Sequence, residues 1–115
     1  MEPKEFDIEF PRGDTCPLKF KLTDKDENVL TLTGSDELYF TVKDNYNTST
    51  VKLQKKYSTG GIVQEEDGYY KLIITADDTD DWNYGSYVFD IEVVSGNYTR
   101  TVAIGTLTIT NEVTF

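Results

Sequence analysis

The sequence predicts an all-β fold, an antiparallel β-sandwich of seven to nine strands. Apolar residues alternate with polar ones in most of the longer segments, a pattern typical of strands with one buried face. Thr, Val, Ile and Tyr are frequent, whereas alanine occurs only at Ala76 and Ala103. The chain has 115 residues, which suits a single domain over 1–115 with one two-layer core.

The segment Tyr69–Val93 predicts the central part of this sandwich. Alternating apolar residues at both of its ends predict two long strands. Between them, Ala76–Tyr84 is polar and rich in turn-forming residues. We expect one short helical turn near Asp77–Trp82, which would carry the chain from one sheet to the other.

The residues after this turn resemble the tyrosine corner of immunoglobulin-like sandwiches. Gly85 permits a sharp bend, and Tyr87 takes the position whose hydroxyl bonds nearby backbone. Phe89 stands where the second cysteine of such domains would lie, so an aromatic ring replaces a disulfide. Trp82 is expected to cover the core at the corner. The resemblance implies an immunoglobulin-like sandwich with Trp82, Gly85, Tyr87 and Phe89 as its structural corner.

The N-terminal half alternates in the same way. Phe6, Ile8 and Phe10 predict one continuous first strand over Met1–Phe10. The turn-forming sequence Arg12-Gly13-Asp14 follows it. Further strands are predicted at Thr15–Thr23, at a short segment Val29–Leu32, at Leu38–Val42, at a lysine-rich edge around Val51 and Leu53, and at Ile62–Val63.

The last hairpin predicts a strand register. We expect a two-residue loop at Gly96-Asn97. Beyond Ile104 the apolar positions change from even to odd numbers, and Gly105 at this point indicates a β-bulge. The predicted opposed pairs are Ile91 with Val102, Phe89 with Ile104, and Tyr87 with Thr106.

Composition restricts the function. The chain has 21 acidic and 11 basic residues, a net charge of −10, which disfavours binding to nucleic-acid phosphates. It has no histidine, and its single cysteine, Cys16, is expected to be a small buried hydrophobic residue. No apolar segment is long enough for a signal peptide or a membrane span, so we expect synthesis in the cytoplasm without export. We predict neither a catalytic site nor a cofactor.

The densest carboxylate cluster is a weak candidate for calcium. Calcium needs several oxygen ligands around one point. The favoured interpretation is that these aspartates cap a helical turn and face solvent. The cluster consists of Asp77, Asp78, Asp80 and Asp81.

Two segments together resemble a family of small phage virion proteins. Residues 6–34 contain Arg-Gly-Asp-Thr, then Leu-x-Phe-x-Leu-x-Asp and Leu-Thr-Gly. Residues 59–93 contain Gly-Gly-Ile, Gly-x-Tyr-x-Leu-x-Ile-Thr and Gly-x-Tyr-x-Phe-Asp-Ile-Glu. These segments are similar to the immunoglobulin-like domain at the N-terminus of upper-baseplate and tail-fibre proteins from phages and prophages of Gram-positive hosts. The resemblance implies a virion-associated, non-enzymatic module of the tail, baseplate, neck or head decoration, with other virion proteins as partners.

We expect Tyr69, Ile73 and Tyr98 to form the partner surface, for other virion proteins or for further copies in a homo-oligomer. Two other functions remain open. An acidic phage-encoded inhibitor that mimics nucleic acid would explain the net charge. A carbohydrate-binding module would use Trp82 and Tyr84 as a stacking platform.

Overall fold

The structure, a computed structural model, describes residues 4–23, 26, 28, 32, 35–66, 68–96 and 98–111. Within these residues, nine strands and one short helix are present. They are β1 (Lys4–Glu5), β2 (Ile8–Pro11), β3 (Cys16–Lys21), β4 (Asp36–Lys43), β5 (Leu53–Lys56), β6 (Ile62–Glu66), β7 (Tyr69–Ile74), α1 (Ala76–Thr79), β8 (Gly85–Ser95) and β9 (Tyr98–Thr110).

The strands form two packed sheets, which confirms the predicted all-β sandwich. The large sheet has the order β1-β9-β8-β4-β5, and β2 also pairs with β9. The small sheet has the order β3-β7-β6. The helix α1 connects β7 in the small sheet with β8 in the large one.

The core lies between the sheets and follows the alternation in the sequence. In β4, Leu38, Phe40 and Val42 are completely buried, as predicted. The Phe89 ring in β8 lies 5.5 Å from the Phe40 ring, between centroids. Tyr70 is also completely buried, and its hydroxyl accepts a hydrogen bond from a backbone N–H at 3.0 Å. This bond matters because an unpaired hydroxyl in the core would destabilise the fold.

The edge strand and the helical turn lie where the sequence predicts them, but their limits differ: α1 spans Ala76–Thr79, whereas the turn was predicted near Asp77–Trp82. The lysine-rich edge strand is present as β5, but it begins at Leu53, and Val51 before it is 44% exposed. Of the predicted segment Val29–Leu32, only the buried Leu32 lies among the described residues.

No helix in the described part of the chain is long and apolar enough to cross a membrane.

The prediction of one continuous first strand is wrong. Both β1 and β2 pair with β9, in parallel, but the ladder is interrupted between them. Asp7 lies at this interruption, and its carboxylate accepts hydrogen bonds from Thr106, at 3.3 Å from the backbone N–H and 2.8 Å from the hydroxyl. A side chain therefore takes the place of a backbone acceptor, which local alternation does not reveal.

The predicted register of the last hairpin is also wrong beyond its first residues. Ser95 pairs with Tyr98, as a two-residue loop requires, but the register shifts between Ile91 and Glu92. Val102 is the additional residue on β9, so the bulge lies there and not at Gly105. The observed pairs are Ile91 with Ala103, Phe89 with Gly105, and Tyr87 with Leu107.

Gly105 is required for a different reason, the close approach of the N-terminal segment. A Cβ at this position would lie 1.7 Å from the Phe6 carbonyl oxygen and 2.9 Å from Cε1 of Phe89. The Phe6 N–H donates to the Ile104 carbonyl oxygen at 3.2 Å, which holds the segment against β9. A side chain at Gly105 would displace this segment.

We therefore predict that Gly105→Ala separates the N-terminal segment from β9. The expected loss in the free energy of unfolding is about 1–3 kcal/mol, because the added methyl overpacks a filled site. Chemical denaturation measures this loss, and hydrogen exchange of the Phe6 amide measures the separation. Gly60→Ala is the control, since Gly60 has a φ of +84° and a Cβ at this position would have no neighbour within 4 Å. It should cost stability through backbone strain alone and leave exchange at Phe6 unchanged.

Candidate functional site

The corner between β7 and β8 combines aromatic packing with a hydrogen bond. The Tyr87 hydroxyl donates to the Asn83 carbonyl oxygen at 2.7 Å, the bond that defines a tyrosine corner. The Trp82 and Tyr87 rings lie 4.8 Å apart, and Trp82 is 4% exposed. Gly85 has a φ of 134°, which favours glycine. Phe89 is buried two residues farther along β8. These residues position the two sheets and present little surface to a ligand.

The aspartates at the corner have separate environments. The Asp78 carboxylate accepts a hydrogen bond from the Thr75 N–H at 2.8 Å and lies 2.8 Å from Nζ of Lys55. Burial alone would raise the pKa of Asp78, but the hydrogen bonds from Lys55 and Thr75 outweigh it and hold that pKa below its ordinary value. Asp78, the third residue of α1, thus bonds the backbone of the N-cap residue Thr75, as in a capping box, and joins α1 to the edge strand β5. The other three, Asp77, Asp80 and Asp81, are exposed.

The weak calcium candidate gains no support from this arrangement. Among the described residues, no group of three or more Asp, Glu and Cys side chains is arranged to hold a metal ion.

Arg12, from the Arg-Gly-Asp turn, folds back onto the corner. Its guanidinium lies 4.5 Å from the centroid of the Tyr84 ring and donates to the Tyr84 hydroxyl at 3.0 Å. It also donates to the Trp82 carbonyl oxygen at 3.2 Å. The stacking platform expected for sugar binding consisted of Trp82 and Tyr84. The Trp82 ring is buried, so only Tyr84, which is 47% exposed, is accessible at the surface.

The structure places two of the three expected partner residues on one surface. Tyr69 and Ile73 both lie in β7 on the outer face of the small sheet, where Tyr69 is half-buried and Ile73 is 40% exposed. Tyr98 begins β9 in the large sheet, and its side chain lies outside the described part of the structure. Any surface that includes Tyr69 and Ile73 is therefore a surface of the small sheet.

Val63 adds to this surface and was not predicted from the sequence. It lies in β6, opposite Lys71, and is 46% exposed. Pro17 of β3 lies opposite Ile73. We call this surface the small-sheet face and define it by its outward residues Pro17, Lys19, Lys21, Val63, Tyr69, Lys71 and Ile73.

Ion pairs lie among and beside the apolar residues of the small-sheet face. Nζ of Lys19 lies 3.1 Å from Oε1 of Glu66, and Nζ of Lys71 lies 3.6 Å from Oε1 of Glu65. Lys19 also lies over the Tyr69 ring, 5.2 Å from its centroid. The face therefore mixes apolar and charged groups, and Lys71 of the middle strand β7 lies between Lys19 of β3 and Val63 of β6.

Asp90 is a half-buried carboxyl on the outer face of the large sheet. It lies in β8 between Thr41 of β4 and Ile104 of β9, and it lines a shallow groove of about 380 Å³. Burial raises the pKa of Asp90, and the nearby Lys43 ammonium offsets only part of this effect. The carboxyl is thus held in an environment that disfavours its charge.

Cys16 is partly buried at the start of β3 and packs against the core. Burial raises the pKa of its thiol, so the reactive thiolate is disfavoured at neutral pH.

No protein-family model matches the chain, and a search of curated proteins finds no match either.

We predict that Tyr87→Phe weakens the corner without changing the fold. The substitution keeps the ring packing on Trp82 but removes the hydroxyl that satisfies the Asn83 carbonyl oxygen. We expect a loss of about 1 kcal/mol in the free energy of unfolding, measured by urea denaturation. Tyr46→Phe is the matched control, because Tyr46 is 63% exposed and its hydroxyl makes a long contact of 3.5 Å to a carbonyl oxygen. Equal stability of both variants would show that the corner bond contributes nothing.

We predict that Asp90→Asn stabilises the protein at neutral pH. Because the pKa of Asp90 is raised in the folded state, its stabilising contribution is present below the ordinary pKa of 3.8 and is lost as the pH rises through the folded value. Asparagine cannot ionise, so the gain over wild type should be largest near pH 7 and should shrink in acid. Denaturant melts between acid and neutral pH test this, with the exposed Asp44→Asn as control. A gain that is independent of pH contradicts the assignment.

Proposed function

We propose that this chain is a non-enzymatic structural protein of a phage or prophage virion, which joins other virion proteins through its sheet surfaces. The observation that carries the proposal is the small-sheet face. There Val63 in β6 and Ile73 in β7 are 46% and 40% exposed. Apolar side chains gathered on one side of a sheet are typical of protein-binding surfaces, whereas scattered ones need no explanation.

The position of the family-like segments also supports the proposal. Residues 6–34 supply β2 and β3, and residues 59–93 supply β6, β7, α1 and most of β8. They thus provide the whole small sheet and the corner that connects it to the large one. The segments that resemble phage virion proteins are therefore the segments that build the small-sheet face.

The distribution of charge favours protein assembly over mimicry of nucleic acid. A mimic needs a continuous row of unpaired acidic groups to replace a phosphate backbone. On and beside the small-sheet face, Glu65 and Glu66 each pair with a lysine. At the corner, Asp78 pairs with Lys55. These lysines interrupt the acidic surface where a basic partner would need it to be continuous.

Incorporation into particles tests the proposal. Particles are purified from a lysate of the phage or induced prophage that carries the gene, and the protein is detected in them by mass spectrometry. We expect the wild-type protein in the particles, and we expect the double variant Val63→Ser, Ile73→Ser to be reduced about tenfold or more. Val51→Ser is the matched control, since Val51 is 44% exposed outside this face.

The outcomes separate the parts of the proposal. Thermal melting shows that both variants are folded before they are compared. Absence of the wild-type protein from purified particles contradicts the virion function. Equal incorporation of the double variant and the control contradicts the small-sheet face as the contact surface.

A further inference from the structure

The two sheets are open along one side of the sandwich. On this side β3 is the edge of the small sheet, while β1 pairs with β9 in the large sheet. A cleft of about 250 Å³ lies between them, lined by residues of β1, β3 and β9 and the residues next to them. We call it the β3–β9 cleft. Of the residues that define the small-sheet face, only Lys19 and Lys21 also line this cleft.

The cleft has an apolar interior. Its apolar residues come from both sheets, so an entering group would contact both layers of the sandwich. The Phe6 ring is 38% exposed, which leaves apolar surface accessible at the cleft. The apolar lining residues are Phe6, Phe20, Val102 and Ala103.

The border of the cleft is basic, in contrast to the chain as a whole. No aspartate or glutamate occurs among its described lining residues, although the net charge of the chain is −10. The Arg100 guanidinium is held in place by a hydrogen bond to the Thr23 carbonyl oxygen at 2.6 Å. The ion pair of Lys19 with Glu66 is exposed and therefore weak. The lining cations are Lys4, Lys19, Lys21 and Arg100.

The backbone of β3 presents hydrogen-bonding groups beside this cleft. The Leu22 N–H donates to the Gly68 carbonyl oxygen. Hydrogen-bonded and non-hydrogen-bonded pairs alternate along an antiparallel ladder, so every second residue of β3 before Leu22 also bonds to β7. The N–H and C=O groups of Lys19 and Lys21 therefore point away from β7. In the described residues no strand pairs with this outer edge. Pro17, the next outward position, has no N–H and limits pairing to the part of the edge beside the cleft.

We propose that the β3–β9 cleft binds an extended acidic segment of a partner protein, which adds as a strand to β3 at Lys19 and Lys21. Main-chain hydrogen bonds to the β3 edge provide affinity, as in other strand additions. An apolar side chain of the segment enters the cleft, and its neighbouring carboxylates pair with the basic border. Charge complementarity selects this partner, because a basic segment would be repelled. The site does not depend on the proposed virion function.

Binding of a designed probe tests the chemistry of the partner. The probe is a short synthetic peptide, blocked at both ends, in which Val and Phe alternate with Glu. The matched peptide has Gln in place of Glu. Calorimetry at low salt should show binding of the acidic peptide to the full chain and about tenfold weaker binding of the Gln peptide. Absence of binding by the acidic peptide, or equal binding of both peptides, overturns the proposal.

Charge-reversal variants test the location. Lys19→Glu with Lys21→Glu should weaken binding of the acidic peptide about tenfold or more. The control is Lys43→Glu with Lys56→Glu, which changes the net charge equally on strands β4 and β5, away from the cleft. Equal losses in both double variants would mean that only the overall charge matters, which overturns the site. Light scattering tests whether the occupant is a second copy of the chain. If the wild-type chain is a dimer and the variant with Lys19→Glu and Lys21→Glu is a monomer, a second copy fills the site, and the proposal of a segment from another protein is overturned.

A substitution at one position tests strand addition itself. Lys19→Gln removes the charge, whereas Lys19→Pro removes both the charge and the outward N–H. Strand addition predicts several-fold weaker binding for the proline variant than for the glutamine variant. In the wild-type protein, the Lys19 and Lys21 amides should gain protection from hydrogen exchange when the peptide binds. This measurement does not require the proline variant to fold. Equal exchange with and without peptide contradicts strand addition.

Discussion

The close approach of the Phe6 backbone to Gly105 is the contact on which the arrangement of the two sheets depends. Because Gly105 has no side chain, the N-terminal segment lies directly against β9, and β1 and β2 join the large sheet. Asp7 continues this attachment through its bonds to Thr106, where the backbone ladder is interrupted. As a consequence, β3 keeps an outer edge with no strand beside it in the described part of the chain. The absence of a side chain at Gly105 thus permits the N-terminal segment to lie on the large sheet and not beside β3.

The corner joins the sheets by packing and hydrogen bonds, without a disulfide. Trp82 and Tyr87 pack against each other, and the hydroxyl of Tyr87 satisfies a backbone carbonyl that would otherwise need another partner. Asp78 bonds the backbone of the N-cap residue Thr75 and ties the helix to Lys55 on the edge strand of the large sheet. A cysteine pair would add stability only in an oxidising compartment, whereas these contacts are independent of redox conditions.

The surfaces of the sandwich differ in a way that bears on binding. The outer face of the small sheet carries exposed apolar residues with lysines among them, whereas the outer face of the large sheet carries the half-buried Asp90. The edges differ as well. Edge β5 is rich in lysine, and edge β6 contains a register shift between Gln64 and Glu66. Both features hinder uncontrolled pairing of edges. Along β3, Pro17 hinders pairing at one end because proline has no N–H. The part of β3 beside the cleft has outward N–H groups that can pair with another strand.

The sequence by itself determined which side of most strands faces the core. In β4, β7 and β8 this follows from alternation within a few neighbouring residues, and the short helix follows from the polar, aspartate-rich segment between two apolar ones. The tertiary structure decided the bulge at Val102, the interruption at Asp7 and the place of Val63 beside Ile73. Each of these depends on how one strand pairs with the strand beside it. Alternation within one segment carries no information about that pairing, because its period of two residues is the same whichever strand lies beside it.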